Sequence, residues 1–250
     1  MKPVMLRYDI IGRDYSRRRR PDPRIARIVT AALGDAKSVV NVGAGGGSYE
    51  PTDRAVVAVE PSSVMIAQRP ENAAPAVLGL AENLPFSANA FDAALAILTT
   101  HHWSDQRAGL AEMCRVARDR VVILTWDPKH PGFWLVRDYF PPLIELDRRI
   151  FPALADLEAV LGQVEVSVVP IPHDCVDGFL GAYWRRPEEY LDERVRSGIS
   201  SFSRIGDVSP GVERLRADLT SGRWAVRNAE LLHLERLDLG YRLVVSRRAA

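Results

Sequence analysis

Residues 39–60 restrict the choice of fold more than any other stretch of the chain. They read Val-Val-Asn-Val-Gly-Ala-Gly-Gly-Gly-Ser-Tyr-Glu-Pro-Thr-Asp-Arg-Ala-Val-Val-Ala-Val-Glu. An apolar run enters a glycine loop, and a second apolar run ends on an acid. A parallel α/β sheet builds a nucleoside site in this way, at the carboxyl ends of its strands. Gly43, Gly45, Gly46 and Gly47 permit a tight turn and let backbone N–H groups approach a ligand, because no Cβ stands in the way. Glu60, 17 residues past Gly43, stands where a carboxylate can accept both hydroxyls of a ribose.

Two cofactor classes use this layout. A dinucleotide site calls for G-x-G-x-x-G with a helix opening at once, so that the pyrophosphate meets the helix N-terminus. Here the third glycine position is Ser48, and Pro51, Thr52 and Asp53 follow almost immediately. Only 12 residues run from Gly43 to Arg54, which leaves room for one helical turn at most. S-adenosylmethionine carries no phosphate; it needs a small loop for its amino-acid end and an acid for its ribose. The shortened crossover therefore favours S-adenosylmethionine over NAD.

The rest of the chain agrees with such a sheet. Val/Ile/Leu/Ala-rich runs at 38–42, 55–60, 76–80, 91–97, 119–126 and 164–171, with a last strand from about Tyr241, are apolar on both alternating positions, as strands covered on two faces require. Helical patterns fall at 23–33, 62–69, 105–117 and 153–161, the first opened by Asp22 as cap and Pro23 in its first turn. The expected fold is α/β, a doubly wound, mostly parallel seven-stranded sheet of Rossmann-like type. Between the last two strands lies a stretch too long for a plain loop, with helical pieces near 175–184, 187–203 and 208–230. It reads as a helical cap at 173–235, inserted into a core made of 1–172 and 236–250.

Composition narrows the function classes. With 33 Lys+Arg against 32 Asp+Glu, the chain has no global basic field, so no nucleic-acid partner is expected. Arg17-Arg18-Arg19-Arg20 is the one cationic cluster; it reads as a solvated segment, with contact to an anionic group of cofactor or substrate as the sharper option. No apolar run approaches about 18 residues, so no membrane span is expected. The start lacks the apolar run of a signal peptide, which makes a cytoplasmic protein the default. Cys114 and Cys175 match no metal-ligand spacing, and no metal is expected. His130, His173 and His233 read as structural or loop residues.

Further motifs follow in a fixed order: Val56–Met65, Ala81-Glu82-Asn83-Leu84-Pro85-Phe86, Phe91-Asp92, and His101-His102-Trp103 followed by Glu112-Met113-Cys114-Arg115-Val116. With Val39–Gly47 they cover roughly residues 37–126. In that order and spacing the chain resembles the class I S-adenosylmethionine-dependent methyltransferases, in particular the small-molecule enzymes related to ubiquinone/menaquinone and sugar O-methyltransferases. The resemblance implies roles. Gly43, Ala44 and Gly45 would approach the amino-acid moiety of the cofactor, and Glu60 would take the ribose diol. Pro61 and Ser62 would turn the chain, with Met65 near the adenine. Ala81 and Glu82 would flank the adenine edge, although Glu82 can also serve as a cap. Leu98 and Thr99 would line the methionine side, and Tyr8 and Tyr15 would belong to a lid. Three positions depart from the family pattern: Asn41 and Leu80 replace common acids, and Ala117-Arg118-Asp119-Arg120 replaces a proline–glycine turn.

Methyl transfer to a hydroxyl needs a nucleophile held near the sulfonium methyl and a group to remove its proton. His101 and His102 follow a strand end, and histidine suits proton removal near neutral pH. Asp127 follows the next strand, about 5 Å away in a parallel sheet. The resemblance implies His101 as general base with Asp127 orienting it; the Asp127-Pro128 pair also reads as a turn initiator. Aromatic residues cluster after these strand ends, and a pocket walled by His102, Trp103, Trp126, Trp134 and Tyr183 would suit a flat aromatic or heteroaromatic substrate. The expected activity is methylation of an oxygen or nitrogen of a small molecule by a monomer or homodimer, releasing S-adenosylhomocysteine. An NAD-dependent oxidoreductase and a non-catalytic S-adenosylmethionine-binding protein are the alternatives.

Overall fold

Helix α1 (Pro23–Ala32) opens the computed structural model, which describes residues 19–248. Tyr8, Tyr15, Arg17 and Arg18 lie outside the described residues. Asp22 caps α1: its carboxylate accepts from the Arg24 amide at 2.9 Å. Ile25, Val29 and Leu33 form the buried face. The chain then lays down β1 (Ser38–Val42), β2 (Ala55–Glu60), the short helix α2 (Ser63–Ala67), β3 (Ala76–Leu78), β4 (Phe91–Ile97), α3 (Gln106–Val116) and β5 (Ala117–Trp126). A π-helical turn (Leu135–Tyr139), α4 (Pro141–Ile150), α5 (Leu154–Leu161) and β6 (Val164–Val168) follow. A two-residue strand β7 (Ile171–Pro172) leads into α6 (Glu193–Ser197), α7 (Ser209–Thr220) and α8 (Arg223–Arg227). Strand β8 (Arg236–Leu237) pairs antiparallel with β7, and β9 (Tyr241–Arg247) ends the described chain.

The main sheet has seven strands in the order β3-β2-β1-β4-β5-β9-β6. All pairings from β3 to β5 are parallel; β9 runs antiparallel between β5 and β6. Successive side chains of one strand point to opposite faces, and the core divides accordingly. Val39, Ala93, Leu95, Val122, Leu124 and Val245 pack with α1 on one face. Val40, Ala94, Ala96, Val121, Ile123 and Val244 pack on the other, against Leu110, Met113 and Val116 of α3 and Leu157 and Leu161 of α5. This is the doubly wound, mostly parallel, Rossmann-like sheet expected from the apolar runs.

Several boundaries differ from the sequence reading. The expected strand 76–80 stops at Leu78, and Leu80 instead bridges Asn83. The expected strand 164–171 stops at Val168, and its last residue, Ile171, joins Pro172 in β7 away from the main sheet. The stretch 175–184 is a series of turns rather than a helix. Side chains there take backbone donors that a helix would use: Asp177 Oδ1 accepts from Gly178 N at 2.7 Å, and Tyr241 Oη from Gly181 N at 3.1 Å. The stretch 187–203 breaks into short helical turns around α6. Helix α4 was not anticipated. It opens on Pro141-Pro142, and proline is well placed in a helix's first turn.

Candidate active site

The glycine loop turns back onto β2, with Gly43 N and Ala44 N both donating to Val59 O at 2.8 and 3.1 Å. Gly43 adopts φ +70°, and a Cβ there would overlap Thr99 Oγ1, so the loop rests directly on the end of β4. Gly45 adopts φ +51°, and among the described residues a Cβ added there would meet only Met65 Cε, at the ordinary contact distance of 3.5 Å. Glu60 is buried at the end of β2. Its Oε2 accepts from Gly45 N at 2.8 Å and its Oε1 from Ser62 N at 3.0 Å. Each oxygen keeps a second lone pair, so the carboxylate is fixed in place and still able to accept. Burial raises the Glu60 carboxyl above its usual value, against the two amides and Arg69.

The acid missing at Asn41 enters from elsewhere. Asn41 Nδ2 donates to Glu50 Oε1 at 3.1 Å, and Glu50 is paired with Arg69 at 2.7 Å. Arg69 Nη1 also donates to Gly45 O at 3.2 Å, bracing the loop from behind. Asn41 Oδ1 is buried without a hydrogen-bond partner. Ala81 is buried, and Met65 is sealed beneath the loop. Glu82 serves as a cap: its Oε1 accepts from Ser104 N, Ser104 Oγ and Asp105 N at 2.7–3.1 Å, just before α3. Burial works against ionisation there, but the Asp105 and Ser104 donors prevail and hold the carboxyl below its usual value. Leu98, just past β4, has φ +48°. A left-handed leucine costs on the order of 1–3 kcal/mol and marks a place where surroundings dictate the backbone.

Beside Leu98 a cavity opens beyond the ends of β4 and β5. Its enclosed part measures about 70 Å3 and opens to solvent at its mouth. Trp126, Phe133, Phe151, Phe179 and Tyr241 supply its aromatic walls; His101, His102, Asp147, Ser200, Ser201 and Arg19 supply polar groups. Phe179, Leu180, Ile199, Ser200 and Ser201 come from the 173–235 insertion. Trp126 is fixed by its Nε1, which donates to Leu239 O at 2.9 Å. His101 lies in a short 3₁₀ turn, stacked on Phe151 with ring centroids 4.0 Å apart and against His102 at 3.8 Å. Among the described residues its buried Nδ1 has no hydrogen-bond partner. Burial, then the neighbouring His102, Arg204 and Arg19, push its pKa well below the usual histidine value, so the ring is neutral at pH 7.

The structure does not bring every candidate to this cavity. Asp127 is not beside His101. Its Oδ1 accepts from Lys129 N at 2.9 Å, and its Oδ2 lies 3.9 Å from Arg242 Nε. Trp126 points into the cavity, and strand alternation turns its successor away. Trp103 packs over Gly109 of α3 on the far face of the sheet. Trp134 is fully buried among Tyr139, Tyr190 and Trp224, with Nε1 donating to Trp184 O at 2.8 Å. Tyr183 stacks beneath the Arg186 guanidinium and does not line the cavity. Of the expected wall residues, His102 and Trp126 are in place. The sequence reading missed Asp147 and Tyr241. It also missed a buried cluster that ties the glycine loop to the insertion. Tyr49, left-handed at φ +63°, donates its hydroxyl to Asp177 Oδ2 at 2.8 Å and accepts from Asp22 N at 3.3 Å. Arg19 Nε donates to Asp177 Oδ1 at 2.7 Å.

Comparison with known proteins decides the family. A family model described as methyltransferase domain matches residues 40–125, the span from β1 to β5. A solved structure from Anabaena variabilis ATCC 29413, ascribed a methyltransferase role in an antibiotic biosynthesis pathway, is 37% identical. It aligns over 91% of this chain and 98% of its own, with a TM-score of 0.84. The chain belongs to the S-adenosylmethionine-dependent methyltransferases. This methyltransferase shares its fold with a candidate histamine N-methyltransferase of Thermotoga maritima, 15% identical over 98% of this chain and 99% of that one, TM-score 0.57. The uncharacterized protein YafE of Escherichia coli K12 is 37% identical over 67 residues, 27% of this chain and about a third (32%) of the relative. S-adenosylmethionine is the cofactor of the family. Among the described residues, no helix of the methyltransferase is long and apolar enough to cross a membrane, and no cluster of His, Cys, Asp and Glu is arranged to hold a metal ion.

Proposed function

We propose that the enzyme transfers a methyl group from S-adenosylmethionine to an oxygen or nitrogen of a small aromatic or heteroaromatic metabolite held in the cavity beside Leu98. The observation that carries this reading is the cavity itself: aromatic walls interleaved with polar groups, reaching Leu98 just past the end of β4. Gly43, Ala44 and Gly45 would receive the amino-acid end of the cofactor and Glu60 its ribose. Pro61, Met65, Ala81 and backbone near Glu82 would surround the adenine, with Leu98 and Thr99 beside the methionine chain. The cofactor supplies an electrophilic sulfonium methyl. The protein holds the acceptor in line, excludes water with its aromatic walls, and offers the neutral His101 ring as proton acceptor.

The insertion at 173–235 would act as the substrate cap, and with it the enzyme would work as a monomer or homodimer in the cytoplasm, where S-adenosylmethionine is made. Two measurements test the reading. Incubation with methyl-labelled S-adenosylmethionine and a panel of phenols, catechols and heteroaromatic amines should transfer label to at least one class; label confined to proteins or nucleic acids would overturn it. Glu60→Ala should weaken S-adenosylhomocysteine binding by about tenfold or more in calorimetric titration, since charge-assisted hydrogen bonds contribute roughly 1.5–3 kcal/mol each. An unchanged dissociation constant would remove the ribose assignment.

A further inference from the structure

With one exception, the buried carboxylates among the described residues meet an arginine or, as Glu60 does, are held on both oxygens by backbone amides. Asp22 pairs with Arg24, Glu50 with Arg69, Asp177 with Arg19, and Asp218 with Arg223 and Arg227. Asp147 is different. It sits on α4 and lines the cavity, only 6% exposed. Among the described residues it accepts one hydrogen bond, from Ser201 Oγ at 3.1 Å, and forms no ion pair; Arg204 acts on it from farther away. Most of its acceptor capacity is therefore unused. Trp126, Phe133, Phe151 and Tyr241 share the cavity with it. An ionised carboxylate in such surroundings is costly unless a cation joins it. Aromatic faces favour a cation as well. Arg19, which also lines the cavity, is already matched by Asp177.

We propose that Asp147 anchors a protonated amine of the substrate, so that the acceptor molecule is an aromatic or heteroaromatic compound bearing a basic nitrogen. The inference rests on the methyltransferase reading of the cavity and narrows it. An ammonium group held at Asp147 has no lone pair to accept a methyl group. The accepting atom is therefore a second oxygen or nitrogen of the same molecule, toward Leu98 and His101. An anionic substrate is disfavoured, because its charge would meet that of Asp147 in the same enclosure.

The test uses the whole enzyme saturated with S-adenosylhomocysteine and two matched ligand sets in calorimetric titration. One set is tyramine, tyrosol and 3-(4-hydroxyphenyl)propionate; the other is tryptamine, tryptophol and indole-3-propionate. In at least one set the amine should bind about tenfold or more tighter than the alcohol, with the carboxylate weakest. In Asp147→Asn the amine's advantage should shrink to about twofold or less. The inference is overturned if an alcohol or carboxylate matches its amine on the wild-type enzyme, if neither amine binds, or if Asp147→Asn keeps the preference. The wild-type comparison stands even if the variant folds poorly. Failure of S-adenosylhomocysteine to bind would instead remove the methyltransferase reading of the site, a result separately visible in the first titration.

Discussion

Replacing His101 by alanine is expected to cut turnover on a hydroxyl acceptor about a hundredfold or more, with S-adenosylhomocysteine affinity unchanged. General-base catalysis is typically worth 10²–10⁴-fold. The lower part of that range applies here, because the expected carboxylate partner is absent: Asp127 is engaged with Lys129 N and stands near Arg242. No carboxylate of Asp127 stabilises a His101 imidazolium, and burial with nearby cations makes the ring a weaker base than free histidine. The sign of the pH dependence follows. The ring loses its base function only when protonated, and its pKa lies well below the usual value, so kcat should be flat from about pH 6 to 9. A histidine braced by a carboxylate would titrate at or above the ordinary value, and kcat would fall below about pH 7. Single-turnover rates of both proteins across that range distinguish these outcomes. An undiminished rate in the variant would reduce His101 to a wall residue and point to a nitrogen acceptor with a free lone pair, which needs no base.

Asp147→Asn should make the protein more stable than wild type at about pH 8. Burial pushes the Asp147 carboxyl up to about 7, only partly opposed by Ser201 and Arg204. In the unfolded chain it would titrate near 3.9. Between those values the folded state keeps a proton that the unfolded state has released, so unfolding free energy falls as pH rises. Three units at about 1.36 kcal/mol each give at most about 4 kcal/mol lost from wild type between about pH 4 and 7. Asparagine can keep a hydrogen bond with Ser201 without ever ionising. Denaturant melts at about pH 5 and pH 8 should show a gap that opens with rising pH. Equal stabilities at both values would mean that water reaches this carboxylate as freely as in the unfolded chain. The same proton should appear in catalysis as an inflection near pH 7 in kcat/KM, which reports the free enzyme.

Local chemistry made much of the molecule legible before the structure. Valine-rich strands, a glycine turn and the acid of Glu60 are local signals, and each stands where its pattern puts it. The Asp22 cap needed only Pro23 and the apolar spacing behind it. The substrate side was less legible because burial and direction there are tertiary. A run such as Trp126, Phe133, Trp134, Tyr139 cannot tell a cavity wall from a core, and only Trp126 and Phe133 of these four line the cavity. Asp147 lies on α4, a helix absent from the sequence reading, and nothing local marks its carboxylate as facing a cavity. Asp127 failed for a simple geometric reason: strand alternation gave the inward direction to Trp126. Glu82 was legible in both of its readings, and three donors from Ser104 and Asp105 show which one its side chain takes.

The small ladder of Ile171-Pro172 with Arg236-Leu237 has a consequence for how such an enzyme changes substrate. The 173–235 segment leaves and rejoins the body of the protein through two paired strands, one strand spacing apart. To the main sheet, everything between them is a single closed hairpin, whatever its length. Lengthening a loop whose ends are already joined costs little, about 0.6 kcal/mol per doubling for a flexible one. The backbone pairing of β9 with β5 and β6 is made outside the segment, which touches β9 through the Gly181 N to Tyr241 Oη hydrogen bond at the strand's first residue. On the proposed reading, ligand choice would drift through cavity residues such as Phe179, Ile199 and Ser201 while Gly43 and Glu60, at the ends of β1 and β2, keep their places, so that a lineage would try new acceptors without re-inventing its methyl donor.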